Sequence, residues 1–210
     1  MAPADRPRAP FVTGLVLAAG GSRRLGRPKQ LLAYGDGTLL DRTLATARAC
    51  GFDGLLCAVG GSADEVRAGV DLRGVEVVEN PHFGVGCSSS IAAAVAAIDP
   101  RSEVLVLLLG DQPGVEVATV RALLAGRGDA DLAVCRYDDG RGHPFAFGAA
   151  AFAELAGLKG DKAVWKLLDR RAHDVAEVAI TGRVPLDVDT WEDYAAALAT
   201  AGLPAPEPVG

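Results

Sequence analysis

Residues 17–31 read LAAGGSRRLGRPKQL, and this stretch determines the first strand of the fold and the loop that follows it. The apolar run that ends at Ala19 stops at Gly20-Gly21-Ser22. Glycine leaves room for backbone N–H groups to face a ligand, and successive N–H groups in a loop form an anion-binding concavity. Arg24 and Lys29 add positive charge that suits phosphate oxygens. The stretch therefore predicts a buried strand followed by a phosphate-binding loop rather than a plain polar turn.

Apolar runs alternate with segments of helical periodicity along the rest of the chain. The segments that read as strands are 11–19, 54–59, 75–79, 104–109, 132–136, 145–147 and 175–178. Those that read as helices are 38–50, 63–68, 88–98, 117–124, 150–155, 162–170 and 191–201. The run 104–109 has no polar residue, which is typical of a strand buried on both faces of a parallel sheet. The alternation predicts a single α/β domain, a Rossmann-like three-layer sandwich with a mostly parallel sheet.

The composition limits the classes of function. The chain has 210 residues, half of them hydrophobic, and a formal net charge of −6. Such an acidic chain is not expected to bind nucleic acid, because that affinity comes from clustered Lys and Arg. Its apolar runs are too short to span a bilayer, so no membrane partner is expected either. The four cysteines are widely spaced, and we interpret them as buried apolar residues of a cytoplasmic protein.

The ends of the chain differ in composition from the rest. Residues 1–10 contain three prolines and no apolar core of a signal peptide, so we expect a disordered lead there. Residues 11–202 are expected to form the domain. Residues 203–210 also contain three prolines and are expected to form a loose tail.

Two acidic segments are candidates for chemistry. Asp111 comes directly after the apolar run 104–109. Ligands of open α/β sheets bind outside the carboxyl ends of the strands, so Asp111 and the glycine-rich loop are expected to face one crevice. Asp111 could hold magnesium, which proteins bind through one or two carboxylates plus substrate phosphates, or it could cap the next helix. Asp187 and Asp189 share one side of an extended segment, and Thr190 reads as the N-cap of the last helix.

Residues 17–29 resemble the pattern L-A-A-G-x-S-x-R-x-G-x-x-K of the NTP-transferase family, the MobA-like nucleotidyltransferases. The matching residues are Leu17, Ala18, Ala19, Gly20, Ser22, Arg24, Gly26 and Lys29. The resemblance implies the fold of the nucleotide-diphospho-sugar transferases, an NTP held by this loop, and Mg²⁺ as cofactor. In that reading Arg24, Lys29 and Asp111 are catalytic. Asp111 and Asp189 then hold the metal.

Other segments resemble the parts of this family that contact the nucleotide and the acceptor. Asn80-Pro81 through Ser90 matches N-P-x-x-x-x-G-x-x-x-S, a loop that contacts base and ribose in the family, although each serine could simply cap a helix. Gly142-His143-Pro144 and Gly160-Asp161-Lys162 resemble acceptor-side segments, although Asp161 could instead be an N-cap. The predicted acceptor-binding residues are His143, Pro144 and Lys162. The predicted nucleotide-binding residues are Leu17, Ala18, Ala19, Gly20, Gly21, Ser22, Arg23, Gly26, Lys29, Asn80, Ser88, Ser90 and Asp111.

Within the family, the segments at 26–32, 110–113 and 142–144 most resemble the molybdenum cofactor cytidylyltransferases, which join CMP from CTP to the phosphate of the molybdopterin cofactor. The guanylyltransferase branch typically reads Leu-Ala-Gly-Gly where this chain has Leu-Ala-Ala-Gly. The family segment G-D-K-G-A-R reads GDKAVW at 160–165, so tryptophan replaces the arginine. The implied partners are CTP, a phosphorylated small-molecule acceptor and a molybdenum enzyme. The alternatives are a GTP-using relative and a nucleotide-binding accessory protein without catalysis.

Overall fold

The computed structural model of the protein describes residues 8–22 and 24–205. Most of the predicted lead and most of the predicted tail therefore lie outside the described residues. The predicted nucleotide-binding residue Arg23 lies outside them as well. None of the helices in the described part of the chain combines the length and the apolar character that crossing a bilayer requires.

A seven-stranded sheet forms the middle layer. The described part of the chain contains nine strands, of which seven form this sheet. They are β1 (Val12–Ala18), β2 (Ala33–Tyr34), β3 (Gly37–Thr38), β4 (Gly54–Val59), β5 (Glu76–Glu79), β6 (Val104–Leu109), β7 (Leu132–Tyr137), β8 (Gly140–Gly148) and β9 (Val175–Ala179). The sheet order is β5-β4-β1-β6-β8-β7-β9, while β2 and β3 form a separate small hairpin. Strand β8 runs antiparallel to its neighbours β6 and β7, and the other neighbouring pairs in this sheet are parallel. The predicted mostly parallel sheet is confirmed.

Helices cover both faces of the sheet, so the predicted three-layer sandwich is also confirmed. They are α1 (Leu39–Cys50), α2 (Ala63–Gly69), α3 (Cys87–Ala97), α4 (Val117–Arg127), α5 (Phe152–Ala156), α6 (Ala163–Arg170) and α7 (Trp191–Thr200). Apolar side chains of α1, α2 and α4 pack on one face, and those of α3, α5 and α6 pack on the other. Helix α7 packs instead against the segment that follows the glycine-rich loop, in a third cluster with Leu25, Leu32 and Leu39.

Strand β6 shows why this sequence forms the centre of the sheet. Val104, Val106 and Leu108 point into one apolar layer, and Leu105 and Leu107 point into the other. Each of these five side chains is at most 2% exposed. Burying a Val or Leu side chain contributes about 1.5–3 kcal/mol relative to leaving it in water. An uninterrupted apolar run is therefore stable only where both faces of the strand are covered.

Helix ends also follow from local sequence. Thr38 accepts a hydrogen bond from the Asp41 amide while the Asp41 carboxylate accepts one from the Thr38 amide, which forms a capping box at the start of α1. Thr190 and Asp193 form the same arrangement at the start of α7, which confirms Thr190 as its N-cap. Helix α1 ends at Gly51, whose φ of 74° suits a residue without a side chain.

The sheet brings two distant loops to one edge. Strands β1 and β6 are parallel neighbours, and Leu17 pairs with Leu109. The Gly110 amide donates a hydrogen bond to the Leu17 carbonyl at 2.8 Å. A Cβ on Gly110 would lie 3.1 Å from that carbonyl oxygen and 3.1 Å from the Ala18 Cβ, so a glycine allows this close approach. The glycine-rich loop and Asp111 therefore leave the sheet side by side.

Candidate nucleotide-binding site

The glycine-rich loop after β1 is held by side chains that follow it. Gln30, which is 3% exposed, donates through Nε2 to the carbonyl oxygens of Ala18 at 2.5 Å and Gly20 at 3.2 Å. The Lys29 amide donates to Ser22 Oγ at 2.9 Å. Ser22 itself has a φ of 46°, an unusual value for a residue other than glycine. These contacts fold the loop back so that Lys29 reaches the end of the strand.

The backbone amides of this loop are available to a ligand. Those of Gly20, Gly21 and Ser22 do not donate to any other residue that the structure describes. All three residues line the same cavity. Successive backbone amides in such a loop attract anions such as phosphate. The geometry therefore agrees with the phosphate-binding loop that the sequence predicts.

Four charged side chains from three segments of the chain meet beside this loop. Lys29 Nζ donates to the Asp111 carboxylate and to Asp189 Oδ1, the second at 2.8 Å. Arg24 donates from Nη2 to Asp189 Oδ2 at 2.8 Å. Lys29 is 8% exposed, so its charge is largely removed from water. The sequence prediction that Asp111, Asp189 and Lys29 lie together agrees with this placement.

The electrostatics of the cluster follow from these contacts. Burial by itself would lower the pKa of Lys29, but the carboxylates of Asp111 and Asp189 outweigh it and raise that pKa above 10.5. The hydrogen bond from Lys29 lowers the pKa of Asp189, and Arg24 adds to this effect. Lys29 is therefore an ammonium, and Asp189 a carboxylate, throughout the physiological pH range.

Asp187 lies at the edge of the cluster. Burial raises the pKa of Asp187 to about 6, and the nearby charges of Asp111 and Asp189 act in the same direction while Lys29 opposes them. The segment that carries it is fixed to the end of β6. The Val188 amide donates to the Asp111 carbonyl at 3.0 Å, and Gln112 Nε2 donates to the Pro185 carbonyl at 3.1 Å. These bonds hold the two acidic segments in one place.

The acidic residues of the cluster fit a divalent cation. No group of three or more His, Cys, Asp or Glu side chains forms a ready metal site within the residues that the structure describes. However, Asp111 Oδ1 is buried and has no hydrogen-bond partner, which is costly for a carboxylate oxygen. Asp111 does not cap a helix, because α4 begins only at Val117. A carboxylate oxygen without a partner, beside a second carboxylate, is the kind of ligand that Mg²⁺ and Mn²⁺ prefer.

A cavity of about 610 Å³ collects most of the predicted site residues on its wall. The predicted residues that line it are Leu17, Ala19, Gly20, Gly21, Ser22, Arg24, Lys29, Ser90, Asp111 and Asp189. Its remaining wall is formed by Phe83, Gly84, Gly86, Cys87, Leu109 and Asp161. The predicted residues Ala18, Gly26, Asn80, Ser88, His143, Pro144 and Lys162 are not on this wall. The cavity has room for a ligand of nucleotide size.

Asn80 supports the loop before α3. Its Nδ2 donates to Ser89 Oγ at 2.8 Å and to Ser90 Oγ at 2.9 Å, and its Oδ1 accepts from the His82 amide at 2.9 Å. Asn80 is 4% exposed, and Ser88 is 3% exposed. Asn80 therefore orients Ser90, which does line the cavity. No serine side chain caps α3, because Gly86 occupies the N-cap position.

Phe83 is a cavity residue that sequence reasoning missed. Its ring lies against Gly60 and Gly61 at the end of β4, where a Cβ on Gly61 would come within 2.6 Å of the ring. The ring is thus seated on bare backbone and still faces the cavity. The signal in the sequence is the pair Gly60-Gly61 directly after a buried strand, which leaves room for a side chain to pack on the backbone. The pair does not reveal which distant side chain packs there.

Asp161 also lines the cavity, whereas the sequence analysis counted only Lys162 of its segment among the site residues and interpreted Asp161 as a possible N-cap. Lys162, and not Asp161, occupies the N-cap position of α6, and it makes no side-chain cap. Asp161 Oδ1 instead accepts from the amide of Cys87, the first residue of α3, at 3.1 Å. Its backbone carbonyl accepts from Cys87 Sγ at 2.7 Å. Asp161 therefore caps a helix that is remote in sequence, and it closes one side of the cavity.

Gly86 makes this closure possible, which leads to a test. Gly86 has a φ of 120°, and a Cβ there would lie 2.7 Å from Asp161 Oδ1. We expect Gly86→Ala to separate the two loops and to weaken nucleotide binding about 10-fold, from about 1–3 kcal/mol of backbone strain. Calorimetric titration with nucleotide measures this. Gly157→Ala is the matched control, since Gly157 does not line the cavity and its Cβ would make only ordinary contacts at 3.6 Å. Equal affinities of the two variants would contradict the role of Gly86.

His143 lies in an aromatic cluster. Its ring centroid is 4.0 Å from that of Phe145 and 6.1 Å from that of Trp165. Its carbonyl accepts a hydrogen bond from the Tyr137 hydroxyl at 2.7 Å. Burial lowers the pKa of His143 to about 3. The imidazole is therefore neutral at physiological pH.

A neutral histidine makes stability depend on pH. The unfolded chain binds a proton at this site below about pH 6.5, whereas the folded protein binds it only near pH 3. The contribution to stability is thus complete above pH 6.5 and is lost as the pH falls toward 3. Between pH 7 and pH 5 we expect a loss of roughly 2 kcal/mol, which His143→Gln removes. Urea unfolding at both pH values measures it. His173→Gln, at an exposed histidine, should leave the loss unchanged; a loss retained in His143→Gln would refute the assignment.

A family model for the MobA-like NTP transferase domain matches residues 14–175. The chain belongs to the MobA-like NTP transferase family. The glycine-rich loop, Lys29 and Asp111 all lie within the matched part. The protein is therefore a nucleotidyltransferase of the MobA-like family.

Several known proteins are similar to this one over most of the chain. Rv0371c from Mycobacterium tuberculosis H37Rv is 50% identical, with a TM-score of 0.84 over 91% of this chain and 99% of its own. A second structure of that protein is a complex with manganese, at 48% identity and a TM-score of 0.80 over 90% and 99% of the two chains. Nicotine blue oxidoreductase from Paenarthrobacter nicotinovorans is 35% identical over 148 residues, which are 67% of this chain and 72% of its own.

A more distant relative carries a name from the branch that the sequence motifs resemble. It is the molybdenum cofactor cytidylyltransferase of Escherichia coli, which is 25% identical over 182 residues. The similarity covers 86% of this chain and 92% of that protein. The family includes proteins named for different reactions, so family membership alone does not determine the acceptor.

Proposed function

We propose that this protein transfers CMP from CTP to the phosphate of the molybdopterin cofactor and releases pyrophosphate. The observation that carries the proposal is the position of Lys29. Its ammonium contacts both Asp111 and Asp189 at the wall of the cavity that the glycine-rich loop also lines. One cationic group beside free amides and two carboxylates suits a triphosphate with a divalent metal.

In this proposal, different residues bind different phosphates of the nucleotide. The amides of Gly20, Gly21 and Ser22 would bind the β- and γ-phosphates. Lys29 and Arg24 would neutralise the charge that develops on the α-phosphate and on the departing pyrophosphate, which is the main requirement of phosphoryl-type transfer. The acceptor phosphate attacks as an anion. No residue of the chain therefore has to remove a proton from it.

Asp111 and Asp189 would hold the metal, and Mg²⁺ is the ion that we propose. Bound there, it would supply positive charge to phosphate oxygens and orient them. The manganese complex of the similar protein from Mycobacterium tuberculosis supports a divalent cation in this family. The buried and unpaired Asp111 Oδ1 supports the same choice in this chain.

The choice of CTP rests on Ala19, which lines the cavity. The guanylyltransferase branch resembles this loop but has glycine where Ala19 stands. The similarity to the cytidylyltransferase of Escherichia coli over 86% of this chain supports the same base. We include a cytoplasmic location in the proposal, together with a molybdenum enzyme that receives the product.

The decisive experiment measures pyrophosphate release with each of the four NTPs, Mg²⁺ and molybdopterin cofactor as acceptor. We expect release with CTP, and none when the acceptor or the metal is omitted. Asp111→Ala should abolish release. Release with GTP instead of CTP would move the protein to the guanylyltransferase branch. CTP binding without release under any of these conditions would favour a non-catalytic nucleotide-binding protein.

A further inference from the structure

Exposed apolar side chains border the mouth of the cavity. Within the described residues, the large hydrophobic side chains that are exposed are those of Phe83, Val85 and Leu186, at 36%, 72% and 43%. Phe83 lines the cavity, and Val85 lies between two glycines that also line it. Leu186 lies three residues before Asp189, which is on the wall. Exposed apolar residues that gather around one opening, instead of being scattered, indicate a surface that contacts another molecule.

A basic segment lies beside this opening. Residues 159–171 contain five Lys or Arg and two Asp, a formal charge of +3 in a chain whose net charge is −6. Lys159, Lys162 and Lys166 are all exposed. The chain has one other lysine, the buried Lys29. Every exposed lysine of the protein therefore lies in this one segment.

Packing joins the apolar and the basic residues. A Cβ on Gly86, the residue after Val85, would lie 3.1 Å from backbone atoms of both Gly160 and Asp161. Lys162 follows Asp161 directly, so Val85 and Lys162 are each one residue away from this contact. The exposed valine and the lysines therefore form one continuous surface at the edge of the cavity.

The three lysines are not neutralised within their own chain. They form no ion pair with any residue that the structure describes. Glu154 shares a hollow of about 340 Å³ with Lys159 and Lys166, but its carboxylate pairs with Arg170 and Arg171. An apolar patch with a polar border is the usual composition of a protein interface. The sign of the free charges requires that the partner surface be acidic.

We propose that Val85, Leu186 and the three lysines form the docking surface for an acidic protein, and that this protein receives the product of the transfer. A partner bound there would cover the mouth of the cavity, so the product would pass to it without entering bulk solvent. A protein fits better than an anionic membrane, because the net charge of −6 opposes approach to a negative surface. The inference rests on the proposed function, which supplies that product.

The test measures binding to the cofactor-free form of the molybdenum enzyme that the proposed function includes, by surface plasmon resonance. Charges at the border of an interface act mainly on association, so Lys159→Glu combined with Lys166→Glu should lower the association rate about 10-fold. This difference should shrink at about 1 M salt. Val85→Ser should raise the dissociation rate about 5-fold. Pyrophosphate release with free acceptor should stay at the wild-type rate in these variants, because none of the three residues lines the cavity.

Arg121→Glu is the matched control. It reverses the charge of an exposed residue on α4, which packs on the opposite face of the sheet from α6. Wild-type association in the double lysine variant, or equal slowing in Arg121→Glu, would overturn the inference. So would the absence of any complex, or lysine-dependent binding to phosphatidylglycerol vesicles in its place. Pyrophosphate release retained in those cases would leave the proposed transfer standing, whereas a wild-type protein without release would contradict the proposed function itself.

Discussion

Replacing Lys29 with methionine is expected to lower the kcat of pyrophosphate release by about 10³-fold, comparable to the loss of one preorganised charge-stabilising donor in other enzymes. Methionine matches the length and apolar stem of lysine but has no charge. Lys29 is 8% exposed, so water cannot replace the missing ammonium. The substitution also leaves Asp111 and Asp189 close together without the cation between them. Steady-state kinetics with saturating CTP and Mg²⁺ measures the loss.

Two further variants test whether the loss of activity in Lys29→Met comes from the charge and position of Lys29. Lys29→Arg keeps the charge, but the planar guanidinium cannot take the place of a compact ammonium between two carboxylates, so activity should stay at least 10-fold below wild type. Lys159→Met removes an exposed lysine away from the cavity and should keep full activity. Wild-type kcat in Lys29→Met would exclude Lys29 from the reaction.

The parts of the site that sequence could predict depend on strand ends. A strand that is apolar throughout must be buried on both faces, and the carboxyl ends of parallel strands share one edge. This was sufficient to bring Asp111 to the glycine-rich loop, although 82 positions separate it from Lys29. The same reasoning explains why strands 54–59 and 104–109 were predicted with their correct ends.

The parts that sequence could not predict depend on contacts between loops. Asp161 has the sequence environment of an ordinary N-cap, and only the fold shows that the amide it binds belongs to Cys87. Phe83 could not be assigned to the cavity without the glycine pair that its ring covers. In both cases one local pattern fits several partners, and tertiary packing chooses among them.

Strand β8 shows a third limit. The predicted strand covered only residues 145–147, whereas the structure extends it over Gly140–Gly148. Residues 140–144 contain two glycines, an arginine and a proline, which are poor strand formers. They remain extended because β7 and the bulge at His143-Pro144 hold them. Local propensity could not anticipate this, although His143 was singled out from its motif.

Asparagine at position 111 is expected to lower kcat by about 100-fold and to raise the concentration of Mg²⁺ or Mn²⁺ that gives half-maximal activity at least 10-fold. Asn has nearly the shape of Asp, so the backbone bond from Val188 to residue 111 should survive. It lacks the negative charge that a divalent cation requires. Lys29 keeps its second partner, Asp189, and therefore stays in place. Activity titrated with each metal measures both effects.

The separate effect on the metal distinguishes Asp111 from Lys29. Loss of a metal ligand shifts the metal dependence, whereas loss of Lys29 should lower kcat at every metal concentration. Electron paramagnetic resonance measures Mn²⁺ binding directly and needs no substrate turnover. We expect it to show weaker Mn²⁺ binding in Asp111→Asn. Asp129→Asn changes an exposed carboxylate before β7, at the opposite edge of the sheet, and should bind Mn²⁺ like wild type. Unchanged Mn²⁺ affinity in Asp111→Asn would show that its buried oxygen serves another purpose than binding a cation.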